Sequence, residues 1–432
     1  MPGDVTRGRA RGEGAPDPAR ATLQSATDDA RRPVGEPGLI LLPGSEAEAA
    51  TAVSDALAGS SPLSIEGGGT RAGVGRPVQT ARTLSSRGLA GITLHEPAEM
   101  VIAARAGTPL AEVVKVLEGS GQALTFEPMD HRPLLGTAGE PTVGAVAAGN
   151  ISGPRRIQAG AARDSLIGVR LINGLGEAVK SGGRVMKNVT GLDLVKLVAG
   201  SWGTLGFLTE VTFKVLPRPE RAATLVLRGL DDAQGVRVLA AALGSPFDVT
   251  GAAHLPAALG SGSRTLVRLE GLGFSVDYRV GELRRLFRRD GAAELLEGEA
   301  AASLWRSVRD AEPLAEPRDR AVWRISTAPS RGPELAGVIG RLLGDARWFF
   351  DWGGGLVWLA CSVAGDAGAV AVRAAVHQYG GHATLVRAPA EVRAALDVFQ
   401  PLPEPVRRLT AGITAAFDPH GIFNPGRMHA GI

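Results

Sequence analysis

Four glycine-rich stretches hold the residues best placed to do chemistry, and the first is IEGGGTRAGVGR at residues 65–76. Gly67, Gly68 and Gly69, followed by Thr70, leave bare backbone N–H groups, and such groups in a turn can cradle an anion without a helix. Two nucleotide fingerprints are near misses. Gly67-x-Gly69-x-x-Ala72 fits the loose dinucleotide pattern, in which a pyrophosphate sits at the N-terminus of the following helix. Here Gly73, Gly75 and Pro77 follow instead, at about 1 kcal/mol per Gly and about 3 per Pro against helix, so no helix dipole is expected behind the loop. A GxxxxGK[ST] loop is excluded because no Lys follows. The residues alone leave two readings, a helix-free phosphate cradle or a strand-connecting turn.

The other three stretches are GTAGEPTVGAVAAGNISGPRR (136–156), VMKNVTGLDLVKLVAGSWGTLGFLTEVTFKVLP (185–217) and FDPHGIFNPGRMH (417–429). Small residues nearly throughout TVGAVAAGNISG let a backbone lie flat against something large and rigid, such as a flavin, which also needs backbone donors for its ring and pyrophosphate. Close helix packing would select the same residues. Other chemistry is mostly excluded. Cys361 is the single Cys in 432 residues, so there is no disulfide framework and no thiolate set for an iron-sulfur cluster or structural zinc, and a reducing compartment is expected. Of the seven His, His377 and His382 lie five apart rather than at the i, i+4 spacing of a helical metal pair, and no metal site is nominated. Net charge is only +3 with Arg scattered along the chain, unlike the clustered stripe of a nucleic-acid binder. No run of 18 apolar residues and no signal-type apolar core occur. A cytoplasmic protein is expected, with any membrane contact made through partners.

These stretches need elements to position them. Residues 1–34 mix Gly, Pro, Arg and Asp with few apolar residues, the composition of a disordered tail. Then GLILLP reads as a buried strand, SEAEAATAVSDALAG as a helix opened by a Ser45/Glu48 capping box, and PLSIEG as a second strand before the glycine loop. ITLHEPAEMVIAARAGTPL reads as two strands about Glu96-Pro97, LAEVVKVLEGSGQ as a helix ended by Gly119, and the rest to Pro219 as short strands and glycine turns. Beyond Arg221, Ala- and Arg-rich helices alternate with strands such as TLVLRGL, RTLVRLEGL and GLVWLACSVAG. The expected class is α+β in two lobes: residues 35–219, a cap at 220–410, and a segment 411–432 that folds back on the first lobe.

With the motifs in this order the chain resembles the FAD-binding proteins of the vanillyl-alcohol oxidase or p-cresol methylhydroxylase type. Within that family, GGGT, then TVGAVAAGN-SG, then MKNVTGLDLVKLVAGSWGTLGFLTEVTFKVLPRP is similar to the flavin subunits of bacterial glycolate oxidases, and AVWRIS, DWGGGLVWL, GGHAT and FDPHGIFNPGRM extend the likeness through the second lobe. The resemblance implies that Gly67, Gly68, Gly69 and Thr70 hold the FAD pyrophosphate, with Arg71 and Gly73 beside them. It implies that Thr142, Val143, Gly144, Ala148, Gly149, Ser152 and Gly153 line the flavin and pyrophosphate. Gly203, Gly206 and Leu208 are then on the adenine side, and Asn424 at the flavin edge. Gly68 in particular is expected to be a glycine because the pyrophosphate approaches its backbone.

Departures from the family pattern carry information too. Relatives that tether flavin do so through His or Cys near the first loops, and GGGTRAGVGR has neither, so the FAD is expected to be noncovalent. Relatives that oxidise 2-hydroxy acids unaided carry a GDGNLH-like metal motif and an EHG motif, where this chain has GGGLVWL and HATLVRAP. Carbinol oxidation needs a base for the hydroxyl proton and a cation for the carboxylate, and no catalytic residue is nominated. The resemblance implies the FAD subunit of a glycolate (2-hydroxy acid) dehydrogenase complex, with a catalytic flavin subunit and an iron-sulfur subunit as partners. The alternatives are a free-standing FAD-dependent 2-hydroxy acid dehydrogenase and a structural FAD subunit without chemistry of its own.

Overall fold

The computed structural model describes residues 38–183, 192–260 and 262–432. The tail read at 1–34 and the MKNVTG portion of the third glycine-rich stretch lie outside the described residues. The first elements follow the sequence closely. A helix spans Glu46–Ala58, and the Ser45 hydroxyl accepts the Glu48 N–H at 3.2 Å. The Glu48 carboxylate reaches one residue further back than the expected box, to the Gly44 N–H at 2.9 Å. The strand β1 (Leu39–Leu41) forms where expected but is not buried: Leu39 and Ile40 are 62% and 43% exposed. It is the edge of a parallel three-stranded sheet in which β3 (Arg82–Ser85) lies between β1 and β2 (Leu63–Glu66).

A second, antiparallel sheet carries the rest of this lobe. Its order is β4 (Ile92–Glu96), β5 (Val101–Arg105), β9 (Phe207–Lys214), β7 (Leu166–Ile172) and β8 (Ala178–Gly182), while β6 (Gln122–Ala123) pairs separately with β10 (Leu216–Pro217). The helix expected after β5 spans Leu110–Gly119. The expectation of only strands and turns beyond it is corrected by several short helices, chief among them Val143–Gly149 inside TVGAVAAGN. Ala favours helix, and the three buried apolar residues Val143, Val146 and Ala147 fall on the i, i+3, i+4 face, whose burial outweighs the poorer propensity of Val and Gly.

The second lobe is built on an eight-stranded sheet in the order β14 (Glu294–Glu297), β11 (Arg221–Arg228), β13 (Arg264–Gly271), β12 (Val249–Leu255), β16 (Arg347–Asp351), β17 (Leu356–Cys361), β15 (Ala321–Ser326) and β18 (His382–Arg387). Side chains alternate between its faces. Trp323, Ile325, Phe350, Val357 and Leu359 pack outward with Leu335, Ile339 and Val372 from the helices Gly332–Leu343 and Ala369–Tyr379. Val322, Phe349, Leu356, Trp358 and Val386 point the other way and share one core with Ile102, Phe126, Val143, Val169 and Phe213 of the first lobe. This alternation puts Arg324 on the inner face, between the lobes. The chain then returns to the first lobe: the Leu63 N–H donates to the Ile422 carbonyl at 2.7 Å and the Asn424 N–H to the Leu63 carbonyl at 3.0 Å.

Candidate cofactor site

A cleft of about 300 Å³ opens beside the glycine loop that follows β2. Gly67, Gly68, Gly69, Thr70 and Arg71 form one wall, and Gly144, Ala148, Gly149, Gly203, Gly206 and Leu208 line the others. As the run of Gly and Pro requires, no helix follows the loop, which continues as turns to residue 76. Gly69 has φ of +78° and open space where a Cβ would stand, so the loop presents bare backbone to the cleft there. At Gly68 the reason for glycine differs from the expected one. A Cβ on Gly68 would overlap the Glu140 carbonyl, and one on Gly67 would meet Thr142 Oγ1, so these two glycines let the segment around 139–142 lie against the loop.

The helix Val143–Gly149 reconciles the two readings of its small residues. Gly144, Ala145, Ala148 and Gly149 face the cleft, and a Cβ on Gly144 would stand 2.6 Å from that of Ala106, so the same residues also permit close packing. Thr142 precedes this helix, and its buried hydroxyl has no partner. Val143 turns into the core instead of the cleft. Ser152 is occupied locally, its Oγ accepting the Ala162 N–H at 2.9 Å and donating to the Asn150 carbonyl. The Gly153 carbonyl accepts from the Trp352 indole at 3.1 Å, and Gly73 faces open space. Thr142, Val143, Ser152, Gly153 and Gly73 are therefore not in the cleft lining.

Asn424 is also outside the lining, yet it joins two walls. Fully buried, it accepts the Ile65 N–H at 2.8 Å on Oδ1 and donates from Nδ2 to the Trp202 carbonyl at 2.9 Å. Asp418 fixes the approach, its carboxylate accepting the Ile422 and Phe423 N–H groups at 2.9 and 2.7 Å.

Sequence reasoning missed the cleft's other arginines, Arg76, Arg393 and Arg427. Arg427 lies three residues beyond Asn424 in the quoted FNPGRM, which is the one signal that could have found it. Its guanidinium donates to the Ile65, Arg71 and Val74 carbonyls at 3.3–3.4 Å, stacks 5.8 Å over Trp202, and has a buried Nε without a partner. Arg71 donates from Nε to His131 Nδ1 and from Nη2 to the Met129 carbonyl, both at 3.2 Å, while its buried Nη1 is unpartnered. Burial lowers both guanidiniums to about 10, so both stay cationic at neutral pH. Among the described residues Glu66 is the one carboxylate in the lining; burial raises its pKa, and the Arg87 and Arg427 charges oppose that. Buried cations with unused donors, beside a loop of bare backbone, suit a ligand that brings negative charge. FAD, with its pyrophosphate, fits this donor set.

Comparison with known proteins agrees with the geometry. Residues 37–182 match the FAD binding domain family. The chain is 36% identical over 379 residues to the Escherichia coli glycolate oxidase subunit GlcE, covering 88% of this chain and 95% of that one. A Bacillus subtilis glycolate oxidase subunit, GlcD, is 39% identical over 85 residues, 20% of this chain and 18% of its own. Among solved structures, 4-ethylphenol oxidase from Gulosibacter chungangensis superposes with a TM-score of 0.67 at 15% identity over 95% of this chain and 93% of its own, and alkyldihydroxyacetonephosphate synthase with 0.65 at 16% over 89% and 76%. Those two share the fold. A two-lobe α+β architecture, a glycine-loop cleft with buried cations, and a near full-length relative point the same way: this chain belongs to the FAD-binding oxidoreductase family of p-cresol methylhydroxylase type that includes glycolate oxidase subunit GlcE, and its cofactor is FAD.

Proposed function

We propose that this chain is the FAD-binding subunit of a 2-hydroxy acid dehydrogenase complex acting on glycolate or a close analogue, with a catalytic flavin subunit and an iron-sulfur subunit as partners. The observation that carries this reading is the 36% identity to GlcE across 95% of that subunit. FAD bound in the cleft supplies the acceptor for the substrate's reducing equivalents. Residues 67–71 hold its pyrophosphate, with Arg71 and Arg427 supplying charge. Gly144, Ala148 and Gly149 offer the flat wall, Gly203, Gly206 and Leu208 the adenine side, and Asn424 keeps the walls in register. Residues 35–219 are the FAD-binding unit, 220–410 the cap and 411–432 the returning segment. The FAD is held without a covalent link, a reading supported by the absence of His and Cys from the described residues that line the cleft. A single Cys leaves clusters to another chain. Among the described residues no helix is long and apolar enough to cross a membrane, which supports membrane contact through partners.

A second reading, an FAD subunit that serves assembly or electron transfer without oxidising substrate itself, is favoured by one observation. The segment standing where unaided relatives carry a metal motif runs into β17, buried along its whole length. Copurification from the native host, with anaerobic glycolate mixing of the isolated chain, separates the possibilities. Companion flavin and iron-sulfur chains support the complex. A lone chain whose yellow absorbance bleaches rapidly, near the ~10 per second median of enzymes, is a free-standing dehydrogenase and overturns it.

A further inference from the structure

Two guanidiniums, one from each lobe, stack on the same indole: Arg156 lies 4.7 Å and Arg324 4.9 Å from the Trp352 ring centroid. The ring itself is fixed by its Nε1–H bond to the Gly153 carbonyl. Neither guanidinium makes an ion pair or a hydrogen bond with any described residue. Two other arginines stacked on indoles differ in this. Arg268, stacked 4.5 Å from Trp305, is bonded to the Glu127 carboxylate at 2.9 Å, and Arg373, stacked on Trp323, donates to the Ala383, Asp397 and Phe399 carbonyls and to Gln400. Those two stacked guanidiniums are bonded to acceptors; Arg156 and Arg324 are stacked with none among the described residues. Stacking alone does not offset withdrawing an unpaired cation from water.

The nearest acids do not close the gap. Asp164 is engaged with the Ala161 N–H and Asp351 with the Trp352 N–H, and burial raises the Asp351 carboxyl to about 7, so it is a weak counter-charge. Across the β15–β18 ladder Arg324 faces Thr384 and Ser326 faces His382, so all four side chains share the inner face of the sheet. His382 is exposed while Arg324, Ser326 and Thr384 are half-buried, so this group of side chains opens to solvent at His382. Neither arginine lines the 300 Å³ cleft. The two places share one neighbour: burial first, and the charges of Arg71 and Arg324 with it, hold the pKa of the His131 imidazole down.

We propose that Arg156 and Arg324, with His382 at the mouth, form an anion site between the lobes that takes the carboxylate of a small organic acid. As a substrate-side subsite it rests on the 2-hydroxy acid reading above; as an anion site it stands alone. A carboxylate gives each guanidinium the charged acceptor it lacks, and the Ser326 and Thr384 hydroxyls can serve further oxygens.

The test is calorimetric titration of the full-length FAD-loaded chain with oxalate, and with neutral oxamide as control. One oxalate per chain is expected, with no oxamide binding. Arg156→Gln and Arg324→Gln should each weaken oxalate roughly tenfold to a hundredfold, the range for a hydrogen bond to a charged group, with flavin content unchanged. Should an arginine variant fail to fold, His382→Gln at the exposed strand start provides the reading, with an expected loss of a few-fold. No binding by wild type, or wild-type affinity in the variants, overturns the site. Oxalate binding without glycolate oxidation by the assembled complex overturns the 2-hydroxy acid reading and leaves the anion site standing.

Discussion

Asn424 bonds the backbone N–H of Ile65 at 2.8 Å across 359 residues of chain, and with its other side-chain atom holds the Trp202 carbonyl. One buried amide thus ties the strand before the glycine loop to the turn on the opposite side of the cleft. Asn424→Leu strands the Ile65 N–H and the Trp202 carbonyl, at about 1–3 kcal/mol for each group left unsatisfied. We expect a urea midpoint shift of that order and a fall in FAD retention. A variant with wild-type midpoint and flavin content would show the amide to be dispensable.

Gly68 and Gly69 should respond differently to a methyl group. Gly68→Ala drives a Cβ into the Glu140 carbonyl, so the apo chain should lose about 1–3 kcal/mol, as overpacking does. Gly69→Ala meets no atom within 4 Å, and its apo cost is the left-handed backbone, about 1–2 kcal/mol. Its larger effect should be on FAD, because the methyl enters the space where backbone meets ligand. Melting temperatures of apo chains and flavin-to-protein ratios of loaded ones separate the two; equal FAD affinity in Gly69→Ala and wild type would remove the loop from the phosphate site.

A noncovalent FAD should leave the chain entirely on acid precipitation. All yellow colour is expected in the supernatant. Flavin fluorescence remaining on the denatured chain in a gel would disprove the noncovalent reading.

Asp351 sets a pH dependence. Burial, with the nearby Glu127 charge, raises its pKa to about 7, against the Trp352 N–H bond and the Arg268 and Arg324 charges that lower it. A carboxyl raised above its unfolded value binds more protons in the folded state, so the stability it contributes is full below about pH 4 and is lost as pH rises through 7. At about 1.4 kcal/mol per pH unit the effect has a ceiling on the order of 4 kcal/mol. Asp351→Asn should therefore be more stable than wild type at pH 8, with the gap shrinking as pH falls and closing below about pH 4, by urea unfolding at each pH. Parallel curves for the two proteins would show that Asp351 titrates normally.

What the sequence made legible was local. Gly67–Arg71 and the small residues of 143–149 carry their conformational demands in their side chains, or in the lack of them, and five residues of the first loop and six from later segments meet in one cleft. The reason for Gly68 was not legible, because it depends on where Glu140 falls after folding. Leu39 and Ile40 read as core because an apolar run has no mark for an edge strand. Arg427 and Arg324 were hidden for a related reason. An arginine acquires a task from what surrounds it, and their surroundings come from Ile65 and Val74 in one case and from Trp352 in the other. Helix formation at 143–149 was open because its two Val and two Gly are poor helix formers, and burial of one face in the core decides it.

The order in which a ribosome makes this chain gives the Asn424 bond a temporal meaning. Ile65 and the loop beside it emerge first, and the side chain that fixes them comes 359 residues later. At about 5–20 residues per second the loop waits on the order of tens of seconds for its clamp. FAD retention that depends on this clamp is expected only after residue 424 has been made, and a nascent chain stalled before it should hold less flavin than one extended past it.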